Sequence, residues 1–381
     1  MLIFSGIFGI SFALVQKNIK KALAYSSIEN VGIITIGIGL GLLGIEKNIP
    51  FLALLGFGGS CVHIFNHAIY KGLLFLGAGS IYFHTQTEEI SLLGGLAKKT
   101  PITSRSFLIG SLSIAAIPSF NGFVGEFFIY LAAFEGIFAK CSVCFLVLLG
   151  LALIGGLALL CFTGLYGIIF LGEGRSLFAQ NAKIEKRSPM TFSMNVLSFF
   201  CMGLGLTLPF LLPYLSPLLA LFIKGMTPQS IHILCNEKAS HFYPFFQVLL
   251  TVYLSFFLVY TIRKLLYKRK TPAQTVTWDC GYSKPTSRMQ YTFSSFVQPI
   301  VAIFEKMACA TDWISPKNIF WKKASFTQTP QDPWFHHFYH PIFKHIEKFA
   351  AVIRWVQHGQ LQSYIFYIFL TLITLLLWKV G

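Results

Sequence analysis

Seven apolar runs of membrane-spanning length follow one another along the chain, at about 22–45, 51–83, 104–138, 143–172, 191–222, 241–266 and 360–380, with a shorter one over 1–15. A helix needs about 20 consecutive apolar residues to cross the hydrocarbon layer of a bilayer. Inside that layer every backbone N–H and C=O must find its partner within the protein, so repeated apolar runs cross as helices. The expected fold is all-α: a polytopic membrane helix bundle of about eight spanning segments, including one broken helix and one truncated N-terminal helix. Only 12% of the residues are charged, against about 25% in soluble domains, which excludes the soluble enzyme classes.

The formal net charge of +16 would suggest a nucleic-acid partner in a soluble protein. Here the basic residues lie in short loops between apolar runs, where they fix topology instead, and no nucleic-acid partner is expected. Threading the runs in order places Lys17, Lys20, Lys21, Lys98, Lys99, Arg105, Arg175, Lys183, Lys186, Arg187 and the cluster from Arg263 to Lys270 on one side. Only Lys47, Lys140, Lys224 and Lys238 fall on the other. The first side is therefore expected to be cytoplasmic, together with the segment 267–359, and the C-terminus to lie outside.

Within 51–83, "CVHIFNHAIYKGLLFLGAGSIYF" carries His63, His67 and Lys71 at four-residue spacing. Side chains four apart on a helix drift by about 40° and rise about 6 Å, so the three stack on one face. Ionisable residues at membrane depth are costly and mark ion pathways. The next run, "SFLIGSLSIAAIPSFNGFVGEFFIYLAAF", is interrupted at "IPSFNG", where Pro118 removes a donor and Asn121–Gly122 favours a turn. Broken helices of this kind are typical of ion-coupling sites in transporters. Glu126 follows the break, and Glu29 lies about two turns into the run that Lys20 and Lys21 precede. Desolvation penalises the charge of both a lysine and a carboxylate, and a nearby opposite charge restores it. Proton passage is then governed by how Lys71 and its carboxylate partners pair, with His63 and His67 suited to relay.

Other patterns carry less. His63 and His67 have zinc-ligand spacing, but nothing further in the helix completes a site, and Cys141–Cys144 lacks both a second pair and a βαβ context. His336, His337 and His340 sit in an aromatic, proline-rich stretch read as irregular interfacial chain. From Pro341 to His358 the apolar residues Ile342, Ile346, Phe349, Ile353 and Val356 recur at helical spacing, which predicts an amphipathic interfacial helix. No metal, no cofactor and no catalytic residue is expected.

The ordered elements "VQKNIKKALAYSSIENVGIITIGIGLGLLG", "VHIFNHAIYKGLLFLGAGSI", "LGGLAKKTPITSRSFLIGSLSIAAIPSFNGFVGEFFIYLAAF" and "TVTWDCGYSKPTSRMQYTFSSFVQPI" resemble the antiporter-like membrane subunits of respiratory complex I, Mrp antiporters and membrane-bound hydrogenases. "SSIEN" and "TWDCGY" point to the hydrogenase-4 and formate hydrogenlyase branch. The resemblance implies two inverted five-helix repeats, each with a broken helix and a buried charge, joined by a hydrophilic axis. Lys71 matches the family's central lysine, His63 and His67 the histidines before it, Glu126 the charged residue past the second broken helix, and Lys20 the lysine leading into the next helix. Residues 1–172 correspond to the second five-helix repeat, 173–266 to two further transmembrane helices, 267–359 to a cytoplasmic or interfacial segment, and 360–381 to a C-terminal transmembrane helix.

The resemblance thus implies a multi-pass, non-redox subunit of the cell (inner) membrane that passes protons, and possibly Na+, alongside other membrane subunits and a peripheral hydrogenase-like redox arm. Lys71 would be the central switch, Glu126 the terminal acceptor toward the outside, and the histidines the relay. An Mrp-type Na+/H+ antiporter subunit and a non-conducting membrane anchor are the alternatives. The run at 1–15 matches the first helix of the second repeat, so the first repeat is expected to be missing and the sequence to be the C-terminal part of a longer subunit.

Overall fold

Helices α1 (Leu2–Val15), α2 (Ile19–Glu46) and α3 (Pro50–Thr85) pack side by side through glycines. A Cβ on Gly9 of α1 would lie 2.4 Å from the backbone nitrogen of Glu29 on α2, and one on Gly32 of α2 would lie 2.6 Å from the nitrogen of Gly6. Small residues give membrane helices this close approach, which replaces the hydrophobic drive that lipid cannot supply. The close contact brings Glu29 into the helix interface and leaves it 1% exposed. The computed structural model describes residues 2–222, 227–240, 242–268, 286–314, 325–330, 335–354 and 361–380. They form two units, Met1–Glu305 and Lys306–Gly381.

In the first unit the chain continues through α4 (Pro101–Ile114), α5 (Asn121–Phe138) and α6 (Ser142–Phe170), a single turn α7 (Leu177–Gln180), then α8 (Pro189–Gly203), α9 (Leu208–Phe222), α10 (Pro228–Ser240), α11 (Tyr243–Leu266) and all but the last three residues of α12 (Phe293–Ala308). Six helices among the described residues are long and apolar enough to cross a membrane: α2, α3, α5, α6, α11, and α8 extended to Leu206. Shorter apolar helices, α1 among them, accompany these six. This unit is an all-helical polytopic bundle, with α5 packed against α3 and α6 along the core.

The expected break in the run 104–138 separates α4 from α5, and two left-handed residues, Ala116 (φ 49°) and Ser119 (φ 88°), turn the backbone there. The run 191–222, read as one segment, is also interrupted. It passes through a 3₁₀ turn at Leu204–Leu206 before α9, which has Pro213 and Pro217 in its interior. A proline removes a helical donor and crowds the preceding turn, and the nearby Pro209 does the same to any continuous helix here. Helix α10 escaped a reading based on hydropathy because its polar and apolar residues nearly balance, yet it buries Ile231 and Cys235 in the core. Helix α12 was missed too. Its Phe293, Val297 and Val301 recur every four residues and are buried, and Phe293 and Phe296 meet the space at Gly164 of α6.

The second unit contains an antiparallel pair, β1 (Cys309–Ile314) and β2 (Ser325–Pro330), where an irregular chain was expected; Ala310 pairs with Thr329 and Trp313 with Phe326. The expected amphipathic helix is present as α13 (His340–Arg354), with Ile342, Ile346 and Phe349 all exposed within the unit, followed by α14 (Leu361–Val380). The element "TWDCGY", at 277–282, lies outside the described residues, as do 355–360 at the predicted end of the amphipathic helix.

Candidate functional site

Lys71 stands 6% exposed in the middle of α3 and reaches across to α2. Its Nζ donates to the Leu23 carbonyl (2.6 Å) and to Ser26 Oγ (2.5 Å). The same turn of α2 leads to Asn30, whose Nδ2 donates to the Ser26 carbonyl at 2.7 Å. Asn30 Oδ1 in turn lies 2.6 Å from the Tyr70 hydroxyl and 3.0 Å from His63 Nε2. Lys71, Ser26, Asn30, Tyr70 and His63 therefore form one buried polar network between α2 and α3.

The network extends toward the helix break. His67 packs edge-on against Tyr70, with ring centroids 5.6 Å apart. Asn66 donates from Nδ2 to the Asn121 carbonyl at 2.7 Å, and Asn121 Nδ2 returns a bond to the Asn66 carbonyl at 3.4 Å. This clasp ties the first residue of α5 to α3. Gly125, one turn further, touches His63 directly. Glu126 is buried next to it and is one of the residues that line a cavity of about 290 Å³ between the break and α6. Ala115 and Ala116 of the break and Gly155 and Gly156 of α6 form other parts of its wall. A Cβ on either glycine would meet nothing within 4 Å.

Several buried polar atoms find no hydrogen-bond partner among the described residues: Glu29 Oε2, His63 Nδ1, His67 Nε2, Ser111 Oγ, Ser113 Oγ and Asn121 Oδ1. A buried polar atom without a partner costs about 1–3 kcal/mol. These atoms group on α2, α3, α4 and the start of α5 around the break.

Of the residues singled out from sequence, Glu29, His63, His67, Lys71 and Glu126 all lie on helices packed around the break. Lys20 stands apart at the end of α2. It pairs with Glu88 at 2.5 Å, its side chain is 44% exposed, and it lies over the Tyr82 ring. Asn18 caps α2 by accepting from the Lys20 and Lys21 amides while donating to Glu88 at 2.9 Å. Asn30 and Tyr70, which join the two halves of the buried network, were not singled out. An amide in mid-run right after Glu29, where it must find a partner, was the available signal. Cys141 and Cys144 are unbridged, and Cys144 is buried beside Gly136.

Residues 1–155 match the family model described as NADH:quinone oxidoreductase/Mrp antiporter, transmembrane. The chain is similar to formate hydrogenlyase subunit 3 of Escherichia coli (strain K12), at 34% identity over 316 residues, covering 81% of this chain and 49% of that protein. It is also similar to hydrogenase-4 component B of the same organism, at 29% identity over 391 residues, covering 98% of this chain and 57% of that one. The chain thus spans about half the length of these curated relatives. Its fold is similar to that of a chain in the membrane-bound sulfane sulfur reductase, an archaeal respiratory membrane complex, with a TM-score of 0.63 at 22% identity over 98% of this chain and 55% of that one.

Proposed function

This chain belongs to the NADH:quinone oxidoreductase/Mrp antiporter transmembrane family, and on that premise we propose that it is a proton-translocating membrane subunit of a hydrogenase-4- or formate hydrogenlyase-like oxidoreductase complex. The observation that carries the proposal is the buried Lys71, held by Leu23 and Ser26 of α2 and linked through Asn30 to His63, with Glu126 on the adjacent α5. Lys71 serves as the switch whose protonation depends on neighbouring carboxylates. Glu29 lies on α2 within the same packed group, and Glu126 exchanges protons with the cavity. Helices α1 to α6, counting α4 and α5 as one broken helix, act as one five-helix repeat, with a redox arm attached elsewhere.

The test places the complex in sealed vesicles with a pH-sensitive dye. Replacing Lys71 by Ala removes a charge from mid-membrane, which eases insertion by about 2.5–3.5 kcal/mol on the translocon scale. The expected variant therefore inserts normally, retains electron transfer and takes up no protons. Normal proton uptake by Lys71→Ala would overturn the assignment. Sodium-dependent proton movement without an electron donor would place the chain with the Mrp-type antiporter subunits instead.

A further inference from the structure

We propose that Asn30 and Tyr70 are positioning residues that hold His63 in its Nε2–H tautomer and tie that state to the grip of Lys71 on α2; this deepens the proton-translocation reading and rests on it. Asn30 Nδ2 donates to the Ser26 carbonyl, which fixes the orientation of the amide and leaves Oδ1 facing His63. A carboxamide oxygen only accepts, so His63 Nε2, 3.0 Å away, carries the proton of that contact. The Tyr70 hydroxyl donates to the same Oδ1 at 2.6 Å and so reinforces it. His63 Nδ1 is then a bare acceptor, and it is the atom left without a partner among the described residues.

This arrangement gives the imidazole a direction. Protons enter and leave the ring at Nδ1, because the Nε2 proton has no basic acceptor in the network. An amide cannot take that proton, so Asn30 holds it back. The Tyr70 oxygen, 3.4 Å from Nε2, is in place to accept the hydrogen bond once the phenol turns from Asn30. Lys71 meets the same stretch of α2. Its ammonium donates to Ser26 Oγ and to the Leu23 carbonyl, and Ser26 is the residue whose carbonyl anchors Asn30. Lys71 and Asn30 thus meet on one residue of α2, the first through its hydroxyl and the second through its carbonyl, which sets the ammonium beside the amide that fixes His63.

The experiment uses the intact complex in lipid, with ¹³C,¹⁵N-labelled histidine, and solid-state NMR of the ring nitrogens; the His63 signals are assigned by subtraction of a His63→Gln spectrum. Wild-type protein is expected to show Nε2–H with bare Nδ1. Asn30→Leu should mix the tautomers, Asn30→Asp, which still accepts from Nε2, should restore the single one, and Lys71→Met should shift the His63 signals from a distance. An Nδ1–H tautomer in the wild type, or a His63 spectrum unmoved by Asn30→Leu, would overturn the proposal. If Asn30→Leu does not accumulate, the near-isosteric Tyr70→Phe decides: His63 signals should move and proton uptake should fall by about fivefold with electron transfer intact, and no change in either refutes it. A wild-type complex that transfers electrons but moves no protons would defeat the translocation reading alone, and the tautomer measurement would still stand on its own.

Discussion

Gly125 of α5 faces the backbone of His63 on α3 so closely that a Cβ would lie 2.7 Å from the His63 Cα. The first turns of α5, which carry Glu126, are thereby fixed against the helix that carries Lys71. Gly125→Ala should force the two helices apart and destabilise the bundle by about 1–3 kcal/mol, as overpacking does. Gly156→Ala, where the added atom meets nothing within 4 Å, should be neutral or gain up to about 1 kcal/mol from helix propensity. Thermal unfolding of the two variants in the same detergent compares them, and equal midpoints would remove the argument for close packing at His63.

The cavity beside Glu126 supports a separate test. Gly156→Leu adds a side chain at a residue that lines that space of about 290 Å³ and at which an added Cβ meets nothing within 4 Å. If Glu126 exchanges protons through that space, Gly156→Leu should slow proton uptake while leaving the melting temperature near that of wild type. Glu126→Gln, which keeps the shape and removes the ionisable group, should abolish uptake. Full uptake in both variants would separate the cavity and Glu126 from the pathway.

The break between α4 and α5 and the stacked His63, His67 and Lys71 were legible because each breaks a rule of membrane sequences: a turn signal in an apolar run, and ionisable residues at membrane depth. Asn30 and Tyr70 were not, because one amide or phenol in an apolar run is also compatible with ordinary helix packing, and only the three-dimensional contact shows which group it serves. Lys20 joins the expected pathway residues only through a family motif. Its exposure and its pairing with Glu88 follow from its place in the first turn of α2, which local sequence already indicated. The interruption at Leu204–Leu206 was hidden by continuous hydropathy, although Pro209, Pro213 and Pro217 follow it in the sequence.

At the surface end of α2, hydrogen bonds from Lys20 and then Asn18 hold the Glu88 carboxyl below its ordinary range. A carboxyl lowered in the folded state contributes stability above its unfolded value, near pH 4.3, and loses it as pH falls through the lower folded value. With Lys20 44% exposed, the contribution is screened and should stay under about 1 kcal/mol. Glu88→Gln should therefore lower the melting temperature slightly at pH 7 and low salt, and by less in 1 M salt. The difference from wild type should vanish once Glu88 is protonated. A larger deficit in acid than at pH 7 would reverse the sign assigned here.

Orientation rests on charge. Lys140 precedes α6 and Lys183 follows it, both exposed and on opposite ends of one spanning helix. The side that receives Lys183 also receives Lys17, Lys20, Lys21, Lys98, Lys99 and Arg105, and an excess of lysine and arginine in short loops marks the cytoplasmic face. In a background with the native cysteines replaced by alanine, Lys183→Cys should react with an impermeant maleimide only in inside-out vesicles. Lys140→Cys should react only in intact cells or right-side-out vesicles. Each position controls for the other, since a leaky preparation labels both. The reverse pattern would invert the bundle, and with it the direction in which Glu126 passes protons. If Glu126 is the terminal acceptor that the family resemblance implies, the face reached by Lys140→Cys labelling is the one toward which protons leaving Lys71 are expected to move.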